Sequence, residues 1–102
     1  MTDAQRIKAN AVRRLYRAYS PENAYPLGVY ERQLHHYMRG GGAPDTRDSD
    51  YCTGARIRAR IDRAEIALRS IGLTHVFDCG TVVVRPYRPI VLRGAPVQVT
   101  YR

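Results

Sequence analysis

The sequence predicts an α+β fold, and three observations lead to it. Apolar residues recur at three- and four-residue steps through most of the first 71 positions. After Leu73 the composition turns to β-branched residues and prolines. Turn signals at Cys79-Gly80, Pro86-Tyr87-Arg88 and Arg93-Gly94-Ala95 then divide that second part into short segments. A chain of 102 residues is sized for one hydrophobic core, so residues 1–102 read as a single domain.

The first helix is expected over residues 2–19. Thr2-Asp3-Ala4-Gln5 has the form of a capping box, and Asp3 carries a negative charge favourable beside a helix N-terminus. Ala4, Ile7, Ala11, Leu15 and Tyr19 form an apolar stripe, widened by Val12 and Tyr16. Arg6, Asn10, Arg13 and Arg17, with Arg14 adjacent, make a cationic ridge on the other side. Ser20-Pro21-Glu22-Asn23 reads as a short helical turn, with Pro26 expected to bar a longer helix from continuing through it.

A second helix is expected over residues 27–39 from Leu27, Tyr30, Leu34, Tyr37 and Met38, ended by Gly40-Gly41-Gly42. Residues 40–50 read as a flexible Gly/Asp-rich loop. The third helix, over residues 53–71, has Ile57, Ile61, Ala64, Leu68 and Ile71 as its core stripe and Gly72 as a left-handed cap. On its outer surface Arg58, Asp62, Glu65 and Arg69 can pair among themselves at i,i+4 spacing. Arg56, Arg60 and Arg63 have no acidic partner on their own helix.

Residues 75–78, 81–85, 89–92 and 97–101 read as an antiparallel sheet of three or four strands, its dry face on the third helix. The order of a helix pair, an arginine-bearing third helix and a hairpin tipped by Arg85-Pro86-Tyr87-Arg88 is similar to that of the winged-helix family over residues 27–93. The resemblance implies that helix three enters a major groove and that the hairpin touches the nucleic-acid backbone. The dozen residues between helices two and three depart from the three- or four-residue turn of that family.

Charge carries most of the functional information. Seventeen basic residues against nine acidic give a net charge of +8 and a pI near 10.1, and sixteen of the seventeen are arginine. A GC-rich genome can account for arginine over lysine, but not for the excess of cations over acids. Guanidinium groups make bidentate hydrogen bonds to phosphate and carboxylate, which suits a polyanionic partner.

Catalytic constellations are missing. His35, His36, His75, Cys52 and Cys79 show neither C-x-x-C nor H-x-x-x-H spacing, and adjacent helical histidines point about 100° apart. Asp45, Asp48 and Asp50 lack the glycine and terminal glutamate of a calcium loop. The expectation is therefore a protein that is no enzyme and uses no metal or cofactor. No apolar run approaches the roughly 18 residues of a membrane span, and no signal-peptide core follows Arg6. These features place the chain in the cytoplasm, away from membranes, with Cys52 and Cys79 as free, partly buried thiols.

The candidate binding residues are Arg13, Arg14 and Arg17 on helix one, Arg56, Arg60 and Arg63 on helix three, and Arg85, Tyr87 and Arg88 at the expected tip. Tyr16, Tyr30, Tyr37 and Tyr101 fall on apolar stripes and are expected to be half-buried, whereas Tyr87 has no pattern reason to be covered. Two function classes fit these residues. One is a nucleic-acid-binding accessory or regulatory protein. The other is a small interaction module or inhibitor of the phage or mobile-element kind, such as an anti-CRISPR or a virion component. Such a module would dock on an acidic surface of a nucleic-acid-handling complex. A homodimer is compatible with either. Both classes require guanidinium groups from distant parts of the chain to gather on one surface.

Overall fold

A computed structural model describes residues 1–88 of the chain. Three helices precede a two-stranded antiparallel sheet: α1 (Asp3–Ala18), a 3-10 turn (Pro21–Asn23), α2 (Ala24–Met38), α3 (Ser49–Arg69), β1 (Leu73–Asp78) and β2 (Thr81–Pro86). The α+β class is as the sequence predicts. Two strands are present among the described residues, and those expected at 89–92 and 97–101 lie outside them.

Helix α1 begins with the capping box that its first residues encode. The Thr2 hydroxyl accepts from the Gln5 amide at 3.2 Å, and the Gln5 side chain accepts from the Thr2 amide at 2.9 Å. Two of the four orphan N–H groups of the first turn are thus satisfied reciprocally. Ala11, Leu15 and Ala18 are its buried residues.

Helix α2 starts three residues before the predicted position and runs through Pro26. Proline is tolerated there because it is the third helical residue, where the missing N–H would have no intrahelical acceptor. Val29 is the one buried residue of this helix, and Met38, placed on the stripe by its spacing, is 75% exposed. The helix ends at Gly40 with φ +90°, a conformation that glycine adopts without strain.

Helix α3 begins four residues before the predicted start, because Asp48 is its N-cap. The Asp48 carboxylate accepts from the amides of Asp50 at 2.8 Å and Tyr51 at 3.3 Å. The connection from α2 is pinned at several points: the Asp45 amide donates to Gln33, the Asp48 amide to the Asp45 carbonyl, and the Cys52 thiol to the Thr46 carbonyl. What reads in sequence as an acidic loop ends in the first turn of a helix. Gly72 at φ +78° follows the C-terminus of α3, as its position predicts.

The core is built on α3. Ile57, Ile61, Ala64 and Leu68 pack with Ala11, Leu15 and Ala18 of α1 and Val82 of β2. Beside α2 the approach is closer still. A Cβ built on Gly54 would overlap the Pro26 carbonyl oxygen and lie 2.6 Å from Tyr30 Cβ, so glycine is required at this crossing. Helix α3 is therefore walled by α1 and α2 and joined to α2 by a ten-residue connection, Arg39 to Asp48, unlike the short turn and protruding recognition helix of a helix-turn-helix.

The hairpin pairs Leu73 with Pro86 through to Asp78 with Thr81. Its turn is Cys79-Gly80, with φ +48° and +78°, the positive pair of a type I′ turn. Val82 and Val84 face the core, β1 packs on α3, and β2 also meets α1. Cys52 is partly covered, but Cys79, expected to be so, is exposed because it forms this turn.

Candidate functional site

The two lines of charge on α3 end up in different surroundings. Arg58 bonds Asp62 at 3.0 Å and approaches Glu31 of α2 at 3.8 Å. Arg69 donates to Glu65 at 2.6 Å. This is the self-paired line that the i,i+4 spacing predicts.

Glu65 is the centre of a larger network. Its carboxylate accepts from Arg69 Nε, from the Thr74 hydroxyl at 2.7 Å, from the His75 amide at 3.1 Å and from His75 Nδ1 at 2.9 Å. Burial pushes its pKa up, but these hydrogen bonds outweigh burial and bring it from the ordinary 4.5 to about 2. With Nδ1 donating to Glu65, His75 Nε2 accepts from the Tyr19 hydroxyl at 2.9 Å. Burial raises the Tyr19 phenol above its ordinary 10, so it stays a donor. Tyr19 also stacks on Phe77, 4.2 Å between centroids. The His75 side chain is only 7% exposed and both its nitrogens are engaged, so the Tyr19–His75–Glu65 chain ties α1, β1 and α3 together. Sequence reasoning missed it, since no spacing rule links positions 19, 65 and 75.

The other flank of α3 faces α1. There Arg14 and Arg17 of α1 and Arg60 and Arg63 of α3 line one recess of about 610 Å³. Arg14 and Arg17 flank the Leu15–Ala18 core stripe on α1, and Arg60 and Arg63 flank the Ile61–Ala64 stripe on α3. Packing the two stripes together therefore brings the four arginines to the same seam. None of the four forms a salt bridge among the described residues, and nor does Arg56, exposed one turn before Arg60. All nine carboxylate side chains of the sequence fall within residues 1–88, so residues 89–102 supply no Asp or Glu.

The remaining candidates are not among the described residues that line this recess. Arg13 is exposed and donates to Asn10 at 3.4 Å, while Arg6, the first residue of the predicted ridge, pairs with Asp3 at 2.9 Å. Arg85 and Arg88 are exposed at the end of β2, opposite the Cys79-Gly80 tip of the described hairpin. The strand that would make residues 86–88 a second tip falls outside the described residues. Tyr87, expected to be uncovered, is half-buried: its ring lies 4.5 Å beneath the Arg69 guanidinium and its amide donates to the Gly72 carbonyl. At about 100° per residue, Arg69 points roughly 120° around α3 from Arg63, which separates this group from the recess.

The tyrosines divide similarly. Tyr30 is half-buried against Tyr51, 5.2 Å between centroids. Tyr16 is 44% exposed because its hydroxyl reaches past the core to accept from the Val82 amide at 3.2 Å. Tyr37 is 52% exposed in the last turn of α2, and Tyr101 lies outside the described residues.

No described helix is long and apolar enough to cross a membrane, and no group of three His, Cys, Asp or Glu side chains among the described residues could hold a metal ion. Comparison with protein-family models, curated proteins and solved structures finds no match for this chain.

Proposed function

We propose that this protein binds nucleic acid through the arginine recess between α1 and α3, as an accessory or regulatory factor. The observation that carries this reading is that four guanidinium groups, drawn from two helices and more than forty positions apart in the sequence, share one recess with no salt bridge among the described residues. A guanidinium does not shed its proton in a protein, so four of them around one recess concentrate positive charge that favours an anionic partner. Phosphates spaced along a strand meet that need and release counterions on binding. Arg13 and Arg56, exposed on either helix, extend the cationic surface.

The test is affinity for a mixed-sequence polynucleotide across salt. With about six phosphates contacted, raising salt from 50 to 200 mM weakens binding on the order of a thousandfold. Flat affinity over that range, or no binding at 50 mM, overturns the reading. A second reading, docking on an acidic protein surface, is favoured by Tyr25 and Met38 standing 66% and 75% exposed on α2, since tyrosine and methionine are enriched at protein interfaces. Its signature is a discrete protein partner retained from nuclease-treated lysate and lost when Arg60 and Arg63 are replaced.

A further inference from the structure

We infer that the recess takes the sugar–phosphate ridge of a duplex and reads no bases, an inference that rests on the nucleic-acid reading above. Two observations carry it: the make-up of the recess and its shape. Among the described residues its lining is Arg14, Arg17, Arg60 and Arg63, with no aromatic or amide side chain. Single-strand binders rely on aromatic platforms on which bases stack. Here the described aromatics are committed elsewhere. Tyr19 stacks on Phe77 and bonds His75, Tyr16 bonds the hairpin backbone, Tyr30 packs on Tyr51, and Tyr87 sits under Arg69. Tyr25 and Tyr37, exposed like Tyr16 but with no hydrogen bond or ring partner among the described residues, belong to α2 and not to the helices that form the recess. Tyr16 also leaves α1 about 160° around the helix from Arg14, so it cannot turn into the recess.

Shape excludes base reading from the other direction. Arginine can read guanine edges, but those edges lie on the floor of a groove and are reached by a helix or ribbon that protrudes. In this protein the guanidinium groups line a concavity between two packed helices, and α3 is itself walled by α1 and α2. A concave cationic seam accepts a convex anionic ridge, which is the backbone of a duplex. A duplex also presents one charge per about 1.7 Å of axis, denser than a single strand, so each guanidinium finds a phosphate without distorting its partner.

Direct binding by fluorescence anisotropy decides the matter. The probes are three DNA duplexes of the same length (AT-rich, GC-rich and mixed), an RNA duplex, and the mixed sequence as a single strand, all at 50 mM salt. The three DNA duplexes are expected to agree within about fivefold and the single strand to bind more than fivefold weaker than the tighter of the mixed DNA and RNA duplexes. Whichever of those two duplexes binds tighter names the source of the backbone. The variant R14Q/R17Q/R60Q/R63Q, checked for folding by circular dichroism, should lose more than a hundredfold on every duplex alike. A spread beyond fivefold among the DNA duplexes, or a single strand within fivefold of the duplex, overturns this inference and leaves nucleic-acid binding intact. No binding to any probe would instead remove the reading beneath it.

Discussion

Helix α3 carries arginines on two flanks, and the flanks differ in what neutralises them. On the side of α2 and β1, Arg58 and Arg69 are held by Glu31, Asp62 and Glu65. On the side of α1, Arg60 and Arg63 share a recess with Arg14 and Arg17 and form no salt bridge among the described residues. The same residue type thus braces the fold on one flank and leaves an open charge on the other. The difference teaches that net charge is a poor guide to a binding surface until the paired cations have been subtracted. What remains here is a dispersed set of exposed cations, Arg32, Arg39 and Arg47 among them, of which four gather at the seam between α1 and α3.

The contrast can be broken or sharpened by five variants. The largest effect is expected at the crossing on the paired flank. Gly54→Ala forces a methyl group against the Pro26 carbonyl and should cost about 3 kcal/mol in denaturant unfolding, since neither backbone can yield cheaply. Next is a pair of double variants. R60Q/R63Q should weaken duplex binding about sixtyfold at 100 mM salt, from two lost phosphate contacts. R58Q/R69Q should change binding less than threefold while lowering the denaturant midpoint only slightly, as surface ion pairs do. Equal effects of the two on affinity would erase the distinction between the flanks.

Glu65→Gln comes third, at about 2 kcal/mol, because the replacement keeps the shape but loses the charge that strengthens four hydrogen bonds. It also carries a pH signature. The folded pKa, near 2, is below the unfolded value of 4.5, so the contribution of Glu65 is fully present above pH 4.5 and fades as pH falls toward 2. The wild-type chain should lose stability across that window more steeply than the Gln variant, measured by denaturant midpoints at several pH values. The smallest effect is Tyr87→Leu, which removes the cation–π contact with Arg69 at a cost of about 0.5 kcal/mol.

Local chemistry explains which parts of this arrangement are legible in the sequence. The capping box at Thr2, the glycine cap at Gly72 and the paired line through Glu65 and Arg69 depend on residues within four or five positions of one another, and each occurs as its spacing implies. Arg60 and Arg63 could be recognised as lacking partners on their own helix. Other features depended on distant neighbours or finer position. Pro26 reads as a barrier until it is known to sit in a first turn, and Asp48 reads as loop until its two amide partners are in place. Meeting of the α1 and α3 arginines required the register of two core stripes, which tertiary packing sets. Tyr87 reads as uncovered because Arg69, eighteen positions away, gives no local sign of lying over it.

Glu65 joins more than charges. Through one carboxylate, α3 holds the first residues of β1, and through the His75 ring that hold passes on to Tyr19 at the end of α1. Peeling the hairpin away would break three of the four hydrogen bonds to Glu65 and the Tyr19–His75 bond at once, so the hairpin and the end of α1 are coupled in opening. Backbone amides of the hairpin and of the last turn of α1 should therefore exchange with deuterium as one cooperative block, in step with the central helix.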